Sequence, residues 1–396
     1  MLELAAGIAL WSCPPHIKIP GVVGLAALRG IRAKLREREE ELGNNNNNNG
    51  DATSARDEVV VRWDDVRMTI QPTKKEKKKL GAEAKPKRIL DGVSGAAKPG
   101  RLLAIMGPSG SGKTSLLNAL AAQVPRSKRL TLSGTLRHND VSVGKDTRRN
   151  RKLLNDAVAY VQQQDVFYSQ LTVRETLETA AAMRMPTSRY TQPQRSDAVD
   201  DVLRAMGIAH VASSKVGDVK TRGVSGGERK RLALACELVG GSPHVVCCDE
   251  PTSGLDAFQA QRVVESLKKL ASDARRTVVC SIHQPRGSIV AMFDDLCLMA
   301  NGRCVYQGAW SDAGEWFERL GHPIPSNANP AEFLVDLVSV DTSSDAKQKE
   351  SEARVDALAA AWDKRGRDDA GADDAENDAD ASRSDGPEGG SVPAAS

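Results

Sequence analysis

The sequence predicts an α/β domain with a mostly parallel sheet covered by helices, and three observations support this. From about Arg101 to Val340 short β-branched runs alternate with helical patterns, the rhythm of strands joined by helical crossovers. Inside that stretch the apolar run from Arg101 to Met106 leads directly into Gly107-Pro108-Ser109-Gly110-Ser111-Gly112-Lys113-Thr114, and a helical pattern from Ser115 to Leu120 follows. Farther on, Val245-Val246-Cys247-Cys248 reads as a second buried strand and ends in Asp249-Glu250. Acids placed there lie at a strand's carboxyl end, where open α/β sheets bind ligands.

Taken in order, the chain opens with a segment, 1–56, that reads as separate from the folded domain. Its first dozen residues, MLELAAGIALWS, form a short apolar run with Glu3 and no Lys or Arg, which argues against a secretory signal. The Arg-rich residues 29–38 keep an organellar transit peptide open. Arg32 to Leu42 suits a solvated helix, and the Asn44 to Asn49 run is a linker without apolar side chains or periodicity. The first strand pattern is Val59 to Trp63. Lys74, Lys75, Lys77, Lys78 and Lys79 read as a solvated loop, preferred over a patch for anionic lipid, and a second strand follows at Arg88-Ile89-Leu90. The folded domain is expected over 57–340. Beyond it, the Asp/Ala/Ser/Gly-rich stretch 341–396 is expected to be an acidic disordered tail.

Composition narrows the classes further. Hydrophobic residues at 40% and charged residues at 27% exclude collagen-like and wholly disordered chains. Lys+Arg 55 against Asp+Glu 52 gives a net charge of +3, too even for a chain that tracks phosphate backbones, so no nucleic-acid partner is expected. Cys13, Cys236, Cys247, Cys248, Cys280, Cys297 and Cys304 show no CxxC pairing and mostly sit in apolar runs, which fits reduced buried thiols with no disulfide partner and no zinc site. No stretch approaches the ~18–20 apolar residues of a membrane-spanning helix.

The chemistry begins at residues 107–114, which match GxxxxGK[ST] in the strand-to-helix context that motif requires. Gly107, Gly110 and Gly112 let backbone amides curl around phosphate oxygens, and the helix start adds partial positive charge. Lys113 is placed to reach the β- and γ-phosphates, and Thr114 offers a hydroxyl to Mg²⁺. Asp249 suits the Mg²⁺ shell and Glu250 suits polarising an attacking water. The pair of motifs points to hydrolysis of ATP or GTP. A third motif, Val224-Ser225-Gly226-Gly227-Glu228-Arg229-Lys230-Arg231, places a hydroxyl and unobstructed amides at a helix start. Within one chain it cannot share the nucleotide already held by Lys113.

With that segment the sequence resembles the ABC ATPase family, whose signature motif completes the site of the opposite subunit in a head-to-tail dimer. The strings GVSGGERKRL (Gly223 to Leu232), DEPTSGLD (Asp249 to Asp256), SIHQPR (Ser281 to Arg286) and NPAEFLVDLVS (Asn329 to Ser339) are similar to the G, or White/PDR, group of ABC transporters. The resemblance covers roughly residues 57 to 340. It implies a P-loop NTPase fold: a RecA-like core sheet, an antiparallel β subdomain and a helical subdomain bearing the signature motif. It implies ATP and Mg²⁺ as ligands, with Ser225, Gly226, Gly227, Glu228 and Asp256 serving the dimer. Gln163 resembles the lid glutamine that contacts Mg²⁺, although Gln162-Gln163-Gln164 leaves its register open by one. His283 resembles the switch histidine at the γ-phosphate. Gly81 to Gly100 contains no aromatic residue to stack adenine, and Trp63 and Tyr160 are the nearest candidates.

The resemblance further implies a second ABC ATPase domain as partner, in a homo- or heterodimer, and a transmembrane domain or subunit. The expected location is the cytosolic, stromal or matrix face of a membrane, reached through a separate subunit or a transmembrane domain outside this sequence. Two competing readings are a free-standing soluble ABC ATPase acting on ribosomes or nucleic acid and a catalytically idle dimerisation module. Against the first, the chain has neither two cassettes nor a long coiled coil; against the second, Lys113, Asp249, Glu250 and His283 are all present.

Overall fold

The computed structural model describes residues 58–381, apart from 82–84, 126, 140, 144–156, 219 and 242; beyond residue 365 it describes the backbone alone. The readings made for residues 1–56 and for Cys13 lie outside the described residues.

Short runs of consecutive apolar residues become the strands of a six-stranded sheet. Its members are β3 (Leu102–Met106), β6 (Val158–Val161), β7 (Val245–Asp249), β8 (Thr277–Ser281), β9 (Asp295–Ala300) and β10 (Arg303–Ala309), in the order β10-β9-β3-β8-β7-β6. All are parallel except β10, which returns antiparallel beside β9. Every residue of β3, β7, β8 and β9 is buried, as expected of parallel strands covered on both faces. Side chains alternate between those faces. Leu102, Ala104 and Met106 of β3 enter one core with Val246, Val278 and Leu296, whereas Leu103 and Ile105 enter a second with Val245, Val279 and Cys297.

The second core lies against a four-stranded antiparallel sheet, order β2-β1-β4-β5, made of β1 (Val61–Ile70), β2 (Lys87–Ala97), β4 (Leu130–His138) and β5 (Val141–Val143). Helix α2 (Lys113–Leu120) contributes Leu116, Leu117 and Leu120 to the same core. The first core is closed by α3 (Val173–Arg184), α4 (Gln192–Ala205), α5 (Gly226–Leu238) and α6 (Ala257–Ser272). The short α7 (Gly287–Val290), α8 (Trp310–Arg319) and α9 (Pro330–Leu337) complete that layer. Asn329 caps α9 by accepting from the Ala331 amide, with Pro330 at its first position.

Two sequence expectations change. The lysine-rich stretch is not a loop but an exposed helix, α1 (Lys74–Leu80), started by a capping box in which Thr73 and Glu76 exchange bonds at 3.1 and 2.6 Å. The region from 341 onward, expected to be a disordered acidic tail, contains a helix, α10 (Asp345–Ala381). Val355, Leu358, Ala359 and Trp362 fall at helical spacing on one face, which gives the early part of α10 enough apolar surface to bury. Trp362 packs against Tyr306 and edge-on to Trp316, both at 5.4 Å, and Arg303 reaches Asp356 and Asp363. The described cysteines are free thiols, buried except for half-buried Cys236, and burial pushes Cys247 up to about 12.

Candidate functional site

Four neighbouring strands deliver the site residues in a row. The phosphate loop follows β3, Ser281 ends β8, Asp249 ends β7, and Gln163 lies two residues beyond β6. Asp249 and Ser281 are direct register partners, and Ser281 is also opposite Ile105 of β3. The loop is shaped by close packing: Gly107 has φ +145°, and a Cβ there would lie 2.1 Å from the carbonyl oxygen of Met299. Only glycine satisfies both conditions.

Lys113 is 6% exposed, and its Nζ donates to the carbonyls of Gly107 at 2.8 Å and Pro108 at 3.0 Å. Burial pulls this amine below its ordinary value, against the opposing pull of Glu250 and Asp249. Helix α2 begins at Gly112 with no side-chain cap, so its first amides stay available, as does the buried Ser111 hydroxyl, which has no partner among the described residues. That donor set, with a lysine held among it, fits a polyphosphate.

Thr114 Oγ1 donates to Asp249 Oδ1 at 3.0 Å, and Ser281 Oγ donates to the same oxygen at 2.6 Å. Ser281 Oγ in turn accepts the Glu250 amide at 2.9 Å. Glu250 has φ +44°, a left-handed conformation that costs a non-glycine residue about 1 kcal/mol or more. Its carboxylate accepts from Gln163 Nε2 at 2.6 Å, and the neighbouring Gln162 and Gln164 line the same cleft. Ser109 Oγ and His283 Nε2 are 3.3 Å apart. A cleft of about 360 Å³ opens among Thr114, Asn118, Tyr160, Gln163 and Asp249. Hydroxyl, carboxylate and amide oxygens of this kind suit a hard divalent cation such as Mg²⁺. Tyr160 faces that cleft, whereas Trp63 is 2% exposed in the second core and cannot stack a base.

Ser225, Gly226, Gly227, Glu228 and Asp256 form a second cluster that does not line this cleft. Ser225 caps α5, donating its amide to Glu228 Oε2 at 2.8 Å and accepting the Glu228 amide at 3.3 Å. His210 Nε2 stands 3.1 Å from Glu228 Oε1. Burial works to raise the Glu228 carboxyl, but the bonds from Ser225 and His210 hold it below its usual value. Asp256 caps α6 through the Gln259 amide at 2.9 Å, and the Gln259 side chain lies against Gly227, where a Cβ would come within 2.2 Å of Oε1. The structure thus separates the residues read from sequence into one group around the phosphate loop and another around the signature helix.

Sequence reasoning passed over Ser281, the hydroxyl that joins Asp249 to the Glu250 amide. Its signal was a small hydroxyl residue at the end of a buried strand, two positions before His283.

Fold and site together define an ABC-type ATPase cassette. Residues 90–253 match the ABC transporter family. The fold is similar to a dimeric ATP-binding cassette in a post-hydrolysis state bound to ADP and Pi, with a TM-score of 0.51 at 21% identity over 63% of this chain and 98% of that one. The chain carries an ABC transporter domain and is similar to transporters of the G-type group. It is 46% identical over 330 residues to ABC transporter G family member 7 of Arabidopsis thaliana, covering 83% of this chain and 42% of that protein. It is 41% identical over 270 residues to Protein white of Drosophila melanogaster, covering 68% of this chain and 38% of that protein. The chain therefore spans about two-fifths of the length of these curated relatives. These relatives do not favour the free-standing soluble ATPase.

One expectation is corrected. Residues 283–369 match the ABC-2 type transporter family. That match takes in α7, β9, β10, α8, α9 and the first part of α10, and it points to a membrane-embedded transporter rather than to an ATPase held on a membrane face through a separate part. Among the described residues no helix is long and apolar enough to cross a membrane.

Proposed function

We propose that this chain is the ATP-binding and ATP-hydrolysing part of a G-type ABC transporter, in which ATP-driven pairing of two such domains is coupled to movement of a substrate across a membrane. The observation that carries this reading is the hydrogen-bonded row Thr114, Asp249, Ser281, Glu250, Gln163 beside the phosphate loop.

In this reading ATP lies on the amides of Gly107 to Thr114, with Pro108 and Ser109 shaping the turn. The Lys113 ammonium leaves the Gly107 and Pro108 carbonyls for the phosphate oxygens. Thr114, Asp249 and Gln163 would hold Mg²⁺, which when bound neutralises charge on the β- and γ-phosphates. Glu250 orients the attacking water and accepts its proton as the oxygen bonds to the γ-phosphorus and the bond to the β–γ bridging oxygen breaks, leaving ADP and phosphate. Gln163 fixes the rotation of the Glu250 carboxylate, and Ser281 fixes its backbone. His283 is poised beside Ser109 to contact the γ-phosphate. Ser225, Gly226 and Gly227 of a second domain close over the same nucleotide, with Glu228 holding Ser225 in place and Asp256 bracing that surface. Closing and reopening of this pair drives the membrane-spanning part of the transporter between states.

Glu250→Gln keeps the shape of the side chain and removes the base. It is expected to bind ATP, to accumulate as a dimer on size-exclusion chromatography, and to lose at least about 100-fold in turnover. Turnover near that of the unmodified chain removes Glu250 from this role.

A further inference from the structure

We infer that Lys230 is a positioning residue that ties the signature helix to Gln163, so that in a dimer the engagement of one ATP site sets the geometry of the other. The inference rests on the proposed function above, because it assumes two ATP sites shared between two such domains.

Lys230 lies on α5 five residues after the cap Ser225, within the same rigid helix. Its Nζ donates to the backbone carbonyl of Gln163 at 2.5 Å and pairs with Asp165 Oδ1 at 3.1 Å. Both side chains are almost fully enclosed, at 6% and 8% exposure. The neighbouring Arg229 turns the other way and donates to the carbonyls of Val216 and Gly217 at 3.0 and 2.7 Å. Gln163 is thus gripped at its carbonyl by the signature helix while its side chain holds Glu250 at 2.6 Å. A single residue separates the helix that serves the partner's nucleotide from the carboxylate that serves this chain's own.

Stability alone is a poor account of this pair. Two charges taken out of water regain little net energy from each other, and replacing both by apolar residues of similar size is often neutral. What the pair does fix is position. The ammonium cannot shift away from the Gln163 carbonyl without leaving the buried Asp165 carboxylate uncompensated, so a displacement of α5 carries Gln163 with it. When a nucleotide of the partner engages Ser225 and Gly227, the resulting set of α5 is passed to Gln163 and on to Glu250.

The test compares the unmodified 396-residue chain with Lys230→Met/Asp165→Asn, which nearly keeps the volume of each side chain but removes both charges, and with Lys230→Arg. Three quantities are read: the ATP dependence of hydrolysis, the melting temperature, and amide hydrogen exchange across residues 162–166. The double variant is expected to lose roughly tenfold in kcat, with KM for ATP changed less than about twofold, and to lose any cooperativity in ATP. Lys230→Arg, which can still donate to the carbonyl, recovers most of the turnover. Unaltered kcat and cooperativity in the double variant overturn the inference, whatever happens to its melting temperature. If the unmodified chain hydrolyses no ATP, the proposed function fails, and hydrogen exchange still decides the link. Faster exchange confined to residues 162–166 supports it; unchanged exchange there sinks it.

Discussion

The phosphate loop and the signature helix both begin a helix at glycines, yet they are finished in opposite ways. Helix α2 starts at Gly112 with no side-chain cap, so its amides and the Ser111 hydroxyl are left open beside a buried lysine. Helix α5 starts at Ser225 with a complete capping box, so two of its first donors, the Ser225 and Glu228 amides, are satisfied by its own side chains. The first arrangement stores unmet hydrogen bonds that a polyanion can satisfy. The second stores order, holding one serine hydroxyl and two glycines in fixed positions for a ligand that another chain brings. Binding and completion are therefore built from different materials, and substitutions in the two regions should fail differently.

The largest effect is expected at Lys113. Lys113→Ala removes the only side-chain cation that the described loop aims at its own carbonyls, and the loss of one preorganised electrostatic partner costs about 100- to 1,000-fold in turnover. Nucleotide affinity should fall along with it, measured by titration calorimetry on the isolated chain. An intact affinity would mean that the open amides of α2 suffice without the lysine. Next comes Ser281→Ala, which strips Asp249 of one donor and leaves the Glu250 amide without an acceptor. A buried unsatisfied group costs about 1–3 kcal/mol, or roughly 5- to 150-fold if it is expressed at the transition state. Turnover should drop while ATP affinity holds, because the phosphate loop is untouched; a loss confined to affinity would refute the link to Glu250.

Which parts could be read from the chain follows from the same contrast. The phosphate loop, the acidic strand end and the signature cap are local: each is a run of residues whose spacing alone dictates its geometry. Asn329 with Pro330 is local too: an Asn that can accept a first-turn amide followed by a Pro that fits the first helical position starts α9. Ser281 and Asp249 lie 32 positions apart and meet only because β7 and β8 are register partners, which no short window reveals. Lys230 and Asp165 are 65 positions apart and meet for the same kind of reason. Two misses were local after all. Thr73-x-x-Glu76 is a capping-box pattern that turns a supposed loop into α1. Val355, Leu358, Ala359 and Trp362 carry an apolar face that overall acidity conceals. Composition described the end of the chain on average, and the average hid one face.

Ser225→Ala tests the ordered side of the contrast. Losing the cap costs about 1 kcal/mol, a fall of about 2–4 °C in melting temperature for a domain of this size. ATP should still bind the variant's own phosphate loop with near-normal affinity, while ATP-dependent dimerisation weakens. Equal losses in both would mean that the two clusters are not independent.

The smallest effect is a pH dependence confined to the signature cap. Glu228 in the folded chain is held below its ordinary value of 4.5 by Ser225 and His210, with burial opposing them. A carboxyl depressed on folding stabilises the fold fully above its unfolded value, and that contribution is lost as pH falls through the lower folded value. The window therefore lies at and below pH 4.5, and acid weakens the cap through Glu228 itself. Glu228→Gln can still accept the Ser225 amide but has no charge to lose. Its melting temperature should sit slightly below that of the unmodified chain near neutrality and converge with it as the pH is lowered through this window. A constant offset at every pH would show that the capping box holds Ser225 by shape alone, and that the charge on Glu228 contributes nothing to the order of the signature helix.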